Sequence, residues 1–170
     1  GEQSLYSNTS GNNNVANGSK SLYSNTIGNN NVANGTWALY SNTMGEQNVA
    51  SGHRALYSNT TGSYNVANGD HSLYANTSGY YNVANGNSSL YKNTTGLYNV
   101  AYGASSLLNN TTGISNTAIG YDSGANLPNN VHNVTCVGAL TGWNTTSSNQ
   151  INIGNHSVTS IGGQVNWGTY

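Results

Sequence analysis

Leucine recurs at Leu5, Leu22, Leu39, Leu56, Leu73, Leu90 and Leu107, one every 17 residues through seven units. Other columns keep the same step: Gly11 to Gly113, Gly18 to Gly120, Asn14 to Asn116 and Thr9 to Thr111. The consensus unit reads G-x-x-N-V-A-N-G-x-x-S-L-Y-S-N-T-x. A period this short and this strict marks a solenoid, in which each unit stacks only on its neighbours.

Seventeen residues are too few for a helical pair but suit one coil of an all-β, parallel β-solenoid (β-roll). The unit predicts one short strand at Asn14–Ala16 and a second at Ser21–Thr26, with Gly-x-x and Asn-Gly-x-x as turns. A chain of Asn-Gly hairpins is the local rival. Hairpins give no reason for constant phase, whereas parallel coils stack like on like. At about 4.8 Å per coil, seven coils span roughly 34 Å. Asn and Thr ladders are expected to satisfy one another's polar groups along the rod.

Along a strand Leu and the following Tyr point to opposite faces. Leu22 and Val32 are therefore expected inside the coil with Ala33 beside them. Tyr6, Tyr23, Tyr40, Tyr57, Tyr74 and Tyr91 form an apolar stripe on the other face. The coil is thin for the number of residues it must order. Oligomerisation is expected, with the Tyr stripe as its interface.

Charged residues are only 4% of the chain, which by itself suggests disorder, but the periodicity argues against that. A net charge of −1 gives no case for nucleic acid or an anionic membrane as partner. No apolar run reaches transmembrane length, so membrane insertion is not expected. Gly1 is in phase with Gly18, which suggests a fragment whose N-terminal part is missing. Cys136 stands alone and reads as a small buried residue, and the many Asn-x-Ser/Thr triplets follow from composition.

The repeat divides the chain into a seven-coil region, 1–120, and a less regular end region, 121–170. Residues 121–133 insert a longer loop with Pro128, and Asn133-Val134-Thr135-Cys136-Val137-Gly138 then restores a coil-like phase. Units such as Ser89-Leu90-Tyr91-Lys92-Asn93-Thr94-Thr95-Gly96 and Asn116-Thr117-Ala118-Ile119-Gly120-Tyr121 resemble repeats of trimeric bacteriophage tail fibres and related bacterial surface fibres. More loosely, they are similar to the head of trimeric autotransporter adhesins, whose shorter repeat forms a left-handed parallel β-roll. The stretch from Gln150-Ile151-Asn152-Ile153-Gly154 to Val165-Asn166-Trp167 resembles the segment before the intramolecular chaperone of endosialidase-type fibres. In that family the chaperone drives trimer folding and cuts itself off at a Ser-Asp junction. A chain stopping at Tyr170 suits the product of that cut. The resemblance implies an elongated homotrimer, extracellular, on a virion tail fibre or a bacterial cell surface. The chaperone's catalytic residues are absent, so no protease activity carries over.

Variation is confined to the two turns, and loops on a rigid scaffold are where recognition usually resides. In one turn Tyr64, Tyr81 and Tyr98 share a column with Tyr80 beside them, an aromatic ladder suited to sugar rings. In the other, Trp37, His53, Arg54, Asp70 and His71 lie in neighbouring units, and the last four are expected to form a polar patch. These nine are the candidate ligand-binding residues; surface packing without a ligand is the plainer reading of them. His53, His71, His132 and His156 lack local metal-ligand spacing, so no metal or other cofactor is expected. No carboxylate pair suits hydrolysis, and an enzyme is the least supported class. The leading expectation is a structural, adhesive fibre segment whose turns touch a host receptor or glycan. A glycan-binding module is the alternative. An ice-binding solenoid built on the Thr column is the third.

Overall fold

A computed structural model describes residues 1–143, 145–155 and 157. The strands are β1 (Val15–Asn17), β2 (Val32–Asn34), β3 (Val49–Ser51), β4 (Val66–Asn68), β5 (Val83–Asn85), β6 (Val100–Tyr102), β7 (Thr117–Ile119), β8 (Thr135–Val137) and β9 (Ile151–Ile153). They form one sheet in sequence order, with every neighbouring pair parallel. Like aligns with like: Val15 faces Val32, Val32 faces Val49, and Val83 faces Val100. The chain is thus a β-solenoid of 17-residue coils, as the leucine column requires. Its nine strands span about 38 Å at about 4.8 Å per step.

Each coil carries one strand, not two. The expected second strand, Ser21–Thr26, is a pair of turns, because Leu22 adopts φ 49° and every leucine of its column does the same. That left-handed conformation is costly for a residue with a Cβ. Here it is held by what lies above and inside. The Leu22 N–H donates to the Ala38 carbonyl at 3.0 Å and the Ser24 N–H to Tyr40 at 3.0 Å, both in the next coil. The Asn25 N–H instead turns back to the Leu22 carbonyl at 3.2 Å. The leucine side chain is fully buried while Tyr23 stands half-buried on the outside, so the expected division of faces holds without an extended strand.

The true strand begins one residue later than expected, and Val32, expected inside, faces outward, whereas Ala33 lies inside as expected. Ala33, Ala50, Ala67, Ala84, Ala101 and Ala118 point inward with 0% exposure, whereas Val32 and its equivalents point outward. The pleat must place Val and Ala on opposite faces. The interior already holds one leucine and two asparagines per coil, so it accepts the smaller side chain.

Those asparagines make the interior polar yet saturated. In the first ladder Asn42 Nδ2 donates to Asn25 Oδ1 at 2.7 Å and to the Gly45 carbonyl at 3.0 Å, and Asn42 Oδ1 accepts from Asn59 Nδ2 at 2.8 Å. In the second, Asn48 donates from its backbone N–H and its Nδ2 to Asn31 Oδ1, at 3.0 and 3.1 Å, and from Nδ2 to the Gly62 carbonyl at 2.9 Å. Buried polar groups are tolerated when each is paired in this way. Gly45 is compulsory for the same reason. A Cβ there would collide with Asn42 Oδ1 and the Gly62 carbonyl. The Thr column runs along the outside, where Thr26 Oγ1 donates to the Thr43 carbonyl at 3.0 Å.

Beyond Gly120 the sheet continues while the coil length changes, since Thr117 pairs with Thr135 and Thr135 with Ile151. Gly124 occupies the place after Leu107 in the leucine column, and Leu127 folds back beside it to fill the vacated core. Val134 ends the second Asn ladder, its N–H donating to Asn116 Oδ1 at 3.0 Å. Cys136 succeeds the alanine column and is buried, as expected for an inert thiol. His156 and residues 158–170, with the Val165-Asn166-Trp167 motif, lie outside the described residues.

Candidate functional site

Two turns per coil project outward, and the turn after the second glycine carries the densest chemistry. Its backbone is stacked in register: the Arg54 N–H donates to the Thr36 carbonyl at 3.0 Å, His71 to His53 at 2.9 Å, and Ser88 to Asp70 at 2.9 Å. Thr36, His53, Asp70 and Asn87 therefore form one column, and Trp37, Arg54, His71 and Ser88 a second beside it. Asp70 is the hub. His53 Nδ1 lies 2.9 Å from Asp70 Oδ1, and His71 Nδ1 lies 3.0 Å from Asp70 Oδ2. Asn87 Nδ2 donates to the same Oδ2 at 3.3 Å. The hydrogen bond from His71 holds the Asp70 carboxyl below its ordinary value; partial desolvation opposes it, and His53 adds to the lowering.

The expected polar patch is thus assembled, with one difference in pairing. Arg54 does not join Asp70. Its guanidinium lies over the Trp37 ring, 4.6 Å from the centroid, and 6.0 Å from that of Tyr57. A cation on an aromatic face is favourable at such distances. Trp37 also flanks His53, with ring centroids 5.5 Å apart.

In the other turn Tyr64, Tyr81 and Tyr98 do stack, at 4.7 and 5.3 Å, and Tyr80 meets Tyr81 and Tyr98 edge-on. All four are exposed. Stacking sets the middle ring against a neighbour on each side. What the ladder offers a ligand is mainly ring edges and hydroxyls, with freer faces at its two ends. The long stripe from Tyr6 to Tyr91 is more regular, with successive centroids 5.1–5.2 Å apart and planes within 8°. Tyr6 is the most exposed, at 67%.

One surface escaped the sequence reading. The outer face of the sheet presents two columns: the valines of β1 to β6, giving way to Thr117, Thr135 and Ile151, and beside them Asn17, Asn34, Ser51, Asn68, Asn85 and Tyr102, giving way to Ile119, Val137 and Ile153. None of the described strands contains a charged residue. The signal that would have revealed it is the constancy of the small residue. The alanine column persists from Ala16 to Ala118 while the valine position changes to Thr117 and Thr135, which marks alanine as the sterically constrained side.

Among the described residues no helix is long and apolar enough to cross a membrane. No protein-family model, curated protein or solved structure matches the chain.

Proposed function

We propose that the chain is a structural segment of an extracellular fibre, a rod that self-associates as a homotrimer and displays its variable turns toward a host receptor or glycan. The observation that carries this reading is the outer face of the sheet. Valine repeats along β1 to β6 over about 24 Å, beside a column of uncharged Asn, Ser and Tyr, and the described strands hold no charged side chain that association would have to desolvate. An uncharged face with an apolar column of that length on a thin rod is a partner surface. Two further copies of the same chain are the natural occupants, because an identical repeat supplies an identical spacing along the contact. The Tyr6–Tyr91 stripe, stacked ring on ring within one chain, is a second uncharged face for the same association.

Light scattering on the intact chain tests this directly. A trimer of 17.7 kDa subunits is expected, and Val66→Lys with Val83→Lys should dissociate it while the circular dichroism of the coil persists. A folded wild-type monomer overturns the reading.

The exposed Tyr64–Tyr98 ladder favours a second reading, a glycan-binding module. Saturable glycan binding that disappears in Tyr81→Ala would support it; a blank array would remove it. The ice-binding reading is weaker. The regular Thr hydroxyls donate along the rod to the carbonyls of the next coil, leaving only their acceptor side to meet a lattice.

A further inference from the structure

We propose that His53, Asp70 and His71 form a binding site for a divalent first-row transition metal ion, Zn²⁺ in the first instance. The inference is independent of the fibre reading. One ligand atom from each residue falls within 4.8 Å of the others. The two nitrogen–oxygen separations, 2.9 and 3.0 Å, approach what one ion requires. Donors at metal distances of about 2.0–2.2 Å stand roughly 3 Å or slightly more from each other. The two nitrogens contact different carboxylate oxygens and the donors spread over up to 4.8 Å, so binding exchanges shared protons for a cation and draws the two imidazoles together.

Three features make the cluster more than a surface coincidence. The ligands sit on stacked turns whose backbone hydrogen bonds of 2.9 Å fix their relative positions, so little ordering remains for the ion to impose. Asn87 Nδ2, at 3.3 Å from Asp70 Oδ2, orients the carboxylate from behind, the supporting role that outer hydrogen bonds play in metal sites. The one permanent cation nearby is drawn aside, since Arg54 lies over Trp37. Two imidazoles and one carboxylate suit Zn²⁺, Cu²⁺ or Ni²⁺ rather than Ca²⁺ or Mg²⁺, which prefer all-oxygen shells. With side-chain exposures of 43%, 47% and 24% for His53, Asp70 and His71, the remaining positions open to water or to a donor from another molecule.

No metal motif stands out along the chain because His53 lies 17 and 18 residues before Asp70 and His71. In a helix that separation is remote. In this coil it is the next rung, so metal spacing has to be counted modulo the repeat.

The test is calorimetric titration of the intact chain with Zn²⁺ alone, repeated with Ca²⁺, and with Co²⁺ followed by visible absorption. One Zn²⁺ per chain with micromolar affinity is expected, with no response to Ca²⁺. Asp70→Asn and His71→Ala should each weaken it by at least about tenfold, and His132→Ala should leave it unchanged. Asp70→Asn keeps the side-chain shape, and circular dichroism confirms that the coil survives. No saturable Zn²⁺ binding overturns the proposal, as does binding that persists in both ligand variants or is lost in His132→Ala.

Discussion

Removing one rung from the first buried ladder gives the sharpest test of what holds the coils together. Asn59 Nδ2 donates to Asn42 Oδ1 at 2.8 Å and to the Gly62 carbonyl at 2.9 Å, and its Oδ1 accepts from Asn76 Nδ2 at 2.7 Å. In Asn59→Ala the Gly62 carbonyl keeps a bond from Asn48 Nδ2 at 2.9 Å. Asn42 Oδ1 and one N–H of Asn76 lose theirs. Two buried groups orphaned at about 1–3 kcal/mol each predict a loss of about 2–6 kcal/mol. The control is Lys92→Ala, an exposed side chain outside the sheet and both ladders, for which a cost within about 0.5 kcal/mol is expected. Guanidinium unfolding at fixed protein concentration compares the two, and amide hydrogen exchange localises the damage, which nearest-neighbour stacking confines to the adjoining coils. If the two variants differ by less than about 1 kcal/mol, the ladder is not what binds the coils and the reasoning fails.

Three further outcomes follow from the same geometry. Gly62→Ala would drive a Cβ into Asn59 Oδ1 and the Gly79 carbonyl, so the variant should unfold at lower guanidinium than Asn59→Ala; wild-type stability would refute the close approach. Tyr57→Ala removes ring contacts of 5.1 and 5.2 Å, and at about 0.5–1.5 kcal/mol per stacked pair it should cost about 1–3 kcal/mol and lower the near-ultraviolet dichroism; an unchanged spectrum would count against the ladder. Burial pushes the Cys136 thiol above its ordinary 9.0, with hydrogen bonds from Asn152 and Thr141 opposing. The folded chain then holds that proton where the unfolded chain has begun to lose it. The contribution of this thiol to stability is constant at neutral pH and falls as the pH climbs past 9.0. Iodoacetamide at pH 8 should modify it at least about a hundredfold more slowly in the native protein than in guanidinium, and equal rates would contradict its burial.

The coil length, the stacking of identical residues, the turn positions and the outward tyrosines were all legible, because each follows from periodicity alone. What failed was the assignment of sides within a coil. Val32 was expected inside on hydrophobicity, yet Asn25 and Asn31 together with Leu22 leave room only for Ala33. An interior that prefers amides to a valine is visible only once the ladder bonds are seen. The second strand failed because a leucine at φ 49° looks extended to any pattern based on side-chain alternation. The patch at His53, Asp70 and His71 was half legible. Its residues were named, but their mutual distances depend on coil stacking, and so does the withdrawal of Arg54 onto Trp37.

The amides of the first inner ladder all point one way. Each donates toward the preceding coil, from Asn25 to Asn8, Asn42 to Asn25 and Asn59 to Asn42. The second ladder is two-sided, since Asn48 Nδ2 donates back to Asn31 and forward to the Gly62 carbonyl. Sever the rod between two regular coils, and the first ladder leaves a bare N–H on one fresh surface and a bare oxygen on the other. Two like surfaces would set donor against donor there. This one thread of side chains gives the molecule an arrow, and any lengthening by addition of like units must obey it.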